Sequence, residues 1–389
     1  STIKFGRKQK KMLRYTLPLL FCLILVFCHT LHGSLYAKKK LVHHFVPEHK
    51  RYIPIVRNIF NTHVVAESLD ASSSTIYPTD YGADPTGKTD STEAFEKVLQ
   101  ALLRRNTSGH MMANDINDLG GASVDLGGGD YVISKPIVIP INYGNFRFVS
   151  GTIRASNTFP ETDFLISVGG PCTNSQGSCN ENVGFEDMLL DSNHRALGGI
   201  NIIRTMGANV GPKMFFIGYR QAGVTVTGGH ETMIHNSWFG EYYYSDSRKN
   251  QCGSSMSRGI QLLGNDHFIS NTIIFGAHIG VEVTGAANLL KGVHTWNCAT
   301  AQGGIGILVN APGYTQNRLL GVYLDYNSIV AVAPEHLTIS DSFFLCGGNV
   351  VLKATEKHTS ILGLNIIGNQ FDVCHNTSVM LDEREAKFT

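Results

Sequence analysis

The sequence predicts an all-β protein, a right-handed parallel β-helix with an N-terminal capping helix. Three observations carry this. A unit of one design recurs: residues 223–239 (GVTVTGGHETMIHNSWF), 259–275 (GIQLLGNDHFISNTIIF) and 280–296 (GVEVTGAANLLKGVHTW) have one length, with Gly228, Gly264 and Gly285 at the same place in each. Residues 306–324 and 329–345 are variant copies, the second with Pro334 at the glycine position. Unit starts fall roughly 21 to 36 residues apart, the range of solenoids and other repeat arrays. Each unit is an alternating strand, a tight turn and a second β-rich run closed by an aromatic residue or leucine. No such unit buries its apolar face alone, so the units must stack, one coil of chain per repeat.

Composition agrees. The chain has 389 residues, 42% hydrophobic and 16% charged, with 41 glycines against 12 prolines, which suits many tight turns between short strands. A solenoid of this length needs only one domain. A formal net charge of +1 gives no general attraction for nucleic acid, so that partner class is excluded. There is no Gly-x-x-x-x-Gly-Lys loop and no paired Cys/His spacing, so neither a nucleotide nor a zinc site is expected, and no cofactor.

Taken in order, the chain opens with a basic stretch (Lys4, Arg7, Lys8, Lys10, Lys11, Arg14), an apolar run at 17–27 and small residues at Gly33, Ser34 and Ala37. Residues 1–37 therefore read as a secretory signal peptide, with a signal anchor as the alternative. The remainder is expected outside the cell, with a membrane partner only if the leader stays uncleaved. Residues 38–75 read as a polar linker, and residues 76–389 as the β-helix domain. In residues 77–103, Asp84 to Gly87 form a turn and Asp90 or Ser91 can cap a helix. Ala94, Phe95, Val98, Leu99, Leu102 and Leu103 share one helical face, which would plug the open end of the solenoid. Residues 120–140 read as strand, glycine turn, strand, proline turn and strand, the first full coil.

Of the eight cysteines, Cys22 and Cys28 lie in the leader. Cys172 and Cys179 bracket a polar loop and can close it as a disulfide in an oxidising compartment. Cys298 and Cys346, in strand-like runs, read as buried thiols in the alternative. Asn106 and Asn376 begin glycosylation sequons.

The run YGADPTGKTDSTEAF, followed by GG-x-x-V-x-L-x-x-G-x-Y-x-I-x-x-P-I, resembles the opening of pectin-lyase-like β-helix enzymes. The later runs LLDSNHRALGGINII, GGHETMIHNSWFGE, GNDHFISN, GVHTWNCA and TQNRLLGVYLDYN resemble the quartet-type plant polygalacturonases, a branch related to glycoside hydrolase family 28. The resemblance runs from Tyr77 to the end. It implies a secreted, monomeric hydrolase acting on α-1,4-galacturonan of the plant cell wall. A pectate lyase and a wall-binding β-helix without catalysis are the alternatives. Members of that group continue beyond the point where Thr389 ends this chain, so the C-terminal cap is expected to be missing or divergent. The Asn-Thr-Asp, Asp-Asp, Gly-His-Gly and Arg-x-Lys motifs of standard family 28 enzymes are absent, so their catalytic assignment does not transfer.

Candidate residues come instead from the repeats. Equivalent positions of neighbouring coils lie about 4.8 Å apart, and a glycosidase needs two carboxyls about 5–9.5 Å apart. Glu231 and Asp266 stand at matching turns one coil apart, with His230 and His267 beside them; the bland reading is a corner whose polar groups bond the backbone. A second set, Asp191, Glu241, Asn297 and Asp325, occupies similar phases at the ends of second runs. Asp191 and Glu241 are two coils apart there, about 10 Å. His194 and Arg195, beside Asp191, can meet an acidic sugar. Arg258, Lys291 and Arg318 stand at repeat edges and are candidates to grip carboxylates of a polyanion.

Overall fold

Alternate residues of each unit's first run are apolar, and the structure shows what they do. A computed structural model describes residues 74–388, apart from 106, 108, 173–176, 241–256, 297–304, 347, 358–359, 373–378 and 383–386. The leader, nearly all of the linker, and Asn106, Glu241, Asn297 and Asn376 lie outside the described residues. Val224 and Val226, Ile260 and Leu262, Val281 and Val283, and Ile307 and Val309 are all fully buried. They belong to a ten-stranded sheet running from Ile137–Ile139 to Val379–Asp382, parallel throughout. Its register stacks Ile166, Ile200, Val224, Ile260, Val281, Ile307, Ile329 and Val350 in one inward row. A slip of one residue would turn each of these side chains outward, and burying each is worth about 1.5–3 kcal/mol, so the register is strongly held. Ile307 pairs with Ile329, so Gly306 faces Ser328 and the last unit begins one residue before the Ile329 expected from its sequence.

The second run of each unit enters a 21-stranded parallel sheet that wraps the remaining two sides. Between its two sides each coil makes a one-residue bend in the left-handed region, at Asp187, Lys213, Asn236, Asn271, Gly292, Gly321, Asp341 and Gly368, with φ between 47° and 67°. Asparagine, aspartate and glycine dominate because they reach this conformation at least cost. Beyond the bend, inward aromatics stack: Phe216 on Phe239 with ring centres 4.4 Å apart, and Phe344 on Phe371 at 4.5 Å. The architecture is an all-β parallel β-helix, three strands per coil.

The helix Thr92–Leu103 buries Ala94, Phe95, Val98 and Leu102, and Phe95 meets Tyr131 edge to face at 5.6 Å. It packs on Thr75–Ile76, Asn117–Asp125 and Ile137–Ile139, the strands of the first coil. Asp90 holds its first turn by accepting the Thr92 N–H at 2.9 Å, while the Ser91 hydroxyl accepts the Asp84 N–H. Asp84 in turn gathers the N–H groups of Thr86, Lys88 and Thr89, and its bonds to Thr86 hold its carboxyl well below the usual range. Cys172 and Cys179 form the expected disulfide. Cys346 is also disulfide-bonded, which replaces its reading as a buried thiol.

Candidate active site

A second row of left-handed residues stands where each coil leaves the ten-stranded sheet and starts its second run. Pairing of Asn209, Met233, Phe268, Leu289, Arg318, Thr338 and Asn365 aligns the residues two places earlier: Gly207, Glu231, Asp266, Ala287, Gln316, His336 and Gly363. All seven have φ between 51° and 65°. Glu231 and Asp266 are thus equivalent residues on adjacent rungs, as the unit alignment expects, and the Glu231 N–H donates to the Asp266 carbonyl at 3.1 Å. They are the two acids in the row. The Asp266 carboxylate lies 3.1 Å from His230 Nδ1, with both side chains about two-fifths exposed, and Glu231 is exposed beside them.

His267 does not join this patch. It follows the left-handed Asp266, and that backbone turn sends its ring inward, where it is fully buried. Its ring Nδ1 accepts the Thr232 N–H, and its ring Nε2 meets no hydrogen-bond partner among the described residues. Burial, helped by the His230 charge and opposed by Asp266, holds its pKa down to about 4, so the ring is neutral. His267 is one rung of an internal polar row. Asn288 Oδ1 accepts the His267 backbone N–H and Asn317 Oδ1 accepts the Asn288 backbone N–H, both at 3.0 Å.

The face that follows this turn is cationic. Its outward positions are Asn209, Met233, Phe268, Leu289, Arg318 and Thr338 in one file and His235, Ser270, Lys291, Leu320 and Ser340 in the next. These strands carry no Asp or Glu. Lys291 and Arg318, on neighbouring rungs, are both exposed, as are Met233 and Phe268. Glu231, Asp266, His230, Lys291 and Arg318 therefore share one edge of the solenoid.

The other candidates lie elsewhere. Register puts Asp191, Ile217, Gly240, Phe275, Trp296 and Asp325 on one row. Asp191 and Asp325 are five rungs apart, about 24 Å at 4.8 Å each, too far to act together. Asp191 is bound by Arg154 at 3.0 Å, and the same guanidinium binds Asp130 at 3.2 Å. Asp325 lies 3.3 Å from His294, and beside it burial and Asp325 push the Tyr323 hydroxyl up to about 12. Arg195 is committed to Glu161 at 2.7 Å, which also binds Arg220, while His194 is exposed at the following bend. Arg258 is not at a free edge: it forms a 2.7 Å pair with Glu282, the two side chains 14% and 8% exposed. Gln261 also donates to Glu282 at 3.0 Å. Asp130, Arg154 and Glu282 escaped the sequence reading because their partners sit on other coils. The outward rings of Phe215 and Trp238, and of His294, Tyr323 and Phe343, which stack between neighbouring rungs, escaped it as well, because they stand just before the residues that close the units. Among the described residues no three His, Cys, Asp or Glu side chains gather as a metal site.

The stacked parallel β-helix defines the class of protein, and residues 77–319 match one family, Rhamnogalacturonase A/epimerase, pectate lyase-like. The chain belongs to that family. It is similar to polygalacturonase QRT3 of Arabidopsis thaliana, 41% identical over 313 residues, which is 79% of this chain and 63% of the relative. The chain thus spans less than two thirds of that relative's length. Among solved structures it is similar to ORF18 of Geobacillus virus E2, with 14% identity, 78% of this chain and 61% of that one covered, and a TM-score of 0.48. The A-module of the mannuronan C-5 epimerase AlgE6 of Azotobacter vinelandii has 10% identity, 80% and 99% coverage and a TM-score of 0.46.

Proposed function

We propose that this protein is a secreted glycoside hydrolase that cleaves α-1,4-galacturonan in pectin of the plant cell wall, with Glu231 and Asp266 as its carboxyl pair. The observation that carries the reading is the equivalence of these two acids on adjacent rungs, about 4.8 Å apart along the axis, from which their side chains can reach the separations at which glycosidase carboxyls work, about 5–9.5 Å. Asp266, bonded to His230, acts as the base that orients water; Glu231, exposed at the rim, protonates the leaving oxygen. Lys291 and Arg318 bind uronate carboxylates on the adjoining face, and exposed Phe268 lies under the sugar rings. The polygalacturonase name of the relative and the pectate lyase-like family support the substrate class. The basic and apolar opening of the chain, together with the disulfides, supports delivery to an oxidising exterior.

The test is a reducing-end assay on polygalacturonate with the purified full chain. Glu231→Gln and Asp266→Asn are each expected to lower the rate by about 10²–10⁴-fold, the worth of a general acid or base. Activity surviving in both variants moves the chemistry to Asp191 and Glu241. Products with an unsaturated, ultraviolet-absorbing end mean β-elimination, and pectin binding without any cleavage means a wall-binding β-helix; either sinks the hydrolase reading.

A further inference from the structure

Upstream of the acid pair, on the same face, the solenoid carries a built groove that no step above uses. Two adjoining cavities of about 350 and 340 Å³ share Gly121, Arg147 and Glu186. Pairing runs Ser123, Arg147, Gly184, Asn209 and Met233 across five successive rungs, so the groove follows the solenoid axis. It exists because Gly184 leaves a rung without a side chain: a Cβ there would stand 3.0 Å from the Arg147 Cβ.

The lining is acidic in sum, and it offers donors and acceptors side by side. Arg147 is 3.7 Å from Glu186, and Asp187 is paired with Lys213 at 3.2 Å. The Asn182 amide donates to Asn145, which donates to Asp118 at 2.7 Å. Asn209 holds His235 at 2.9 Å, and Asp125 completes the acidic side. A polyanion gains little here, because Asp125, Glu186 and Asp187 oppose the one guanidinium that is not committed at short range. A sugar hydroxyl both donates and accepts, and alternating Arg, Glu and Asn groups satisfy both roles. Exposed Met233 ends the groove with an apolar contact.

We infer that this groove binds uncharged pyranose units, either neutral sugars or methyl-esterified uronates, ahead of the cationic face that takes free acids. It is a binding site whether or not the Glu231 turn cleaves, so its test reads binding and not turnover.

Calorimetric titration of the full chain would use three probes: methyl-esterified galacturonan oligomers, neutral 1,4-galactan oligomers and polygalacturonate. The esterified probe, the neutral probe or both are expected to bind with little dependence on salt, and which of them binds identifies the source. Arg147→Ala is expected to weaken that binding about tenfold, the loss of one charge-assisted hydrogen bond. Gly184→Ser, which fills the trough at a residue without positive φ, is expected to do the same while circular dichroism stays unchanged. Uncharged oligomers that fail to bind, or that bind both variants as well as the parent, overturn the inference. So does polygalacturonate whose binding alone falls in Arg147→Ala.

Discussion

Acidification should weaken this fold through a single buried ring. His267 is fully buried, and its pKa is held down to about 4 against 6.5 when free, first by burial and then by the charge of His230. The folded chain therefore favours the neutral ring. The stabilising contribution is complete above pH 6.5, falls as the pH drops from 6.5 towards about 4, and is constant below that. The gap between 6.5 and about 4 corresponds to about 3 kcal/mol, at 1.36 kcal/mol per pH unit. The row that holds His267 suggests the control. Asn288 and Asn317 fill the same place on the next coils, each accepting a backbone N–H and donating to a carbonyl, that of Gly264 or Gly285. His267→Asn extends this row with a side chain that does not titrate. At pH 7 it should cost about 1 kcal/mol for the lost volume; near pH 4 it should be more stable than the parent by about 2 kcal/mol, the difference of these two terms. Urea denaturation of both proteins from pH 7 to pH 4 measures this. Stability curves that stay parallel over that range would refute the assignment of the pH dependence to His267.

Two further outcomes concern stability. Glu282→Leu takes from the largely buried Arg258 the carboxylate it meets at 2.7 Å and should cost about 3–5 kcal/mol, whereas Arg258→Met with Glu282→Leu should recover most of it; denaturant midpoints of the three proteins decide, and a double variant no better than the single one contradicts the account. The disulfide between Cys172 and Cys179 closes a loop of seven residues' separation, so replacing both by serine should cost about 2.5 kcal/mol. An unchanged thermal midpoint would count against it.

The solenoid was legible because its repeats carry their own register. Gly228, Gly264 and Gly285 stack in space as they align in sequence: a Cβ on Gly264 would meet Gly228 at 3.2 Å and one on Gly285 would meet Gly264. Equal unit lengths from 223 to 296 made Glu231 and Asp266 countable as neighbours. The row through Asp191 was harder, because coils differ in length after each second run; among the described residues it runs through Gly240 and Trp296. His267 was misplaced because alternation was carried through Asp266 unchanged, although a left-handed residue rotates the next side chain to the other side. The asparagines at 288 and 317, each directly before its unit's second run as His267 is, held the signal for an internal row. The Arg258–Glu282 pair was not visible at all, since nothing in either unit alone marks its outward strand position as covered.

The left-handed row from Gly207 to Gly363 has a consequence for how such a protein can change. Seven successive turns share one backbone conformation yet carry glycine, glutamate, aspartate, alanine, glutamine, histidine and glycine. The conformation is kept by the coil and the side chain is left open, so each turn is a socket of one shape. An acid moved from Glu231 to Ala287 would form the same pair with Asp266 from the opposite side, displaced along the axis by about 4.8 Å per rung. A solenoid of this kind can shift its point of action along a bound polymer by single substitutions, without a new loop and without repacking its interior.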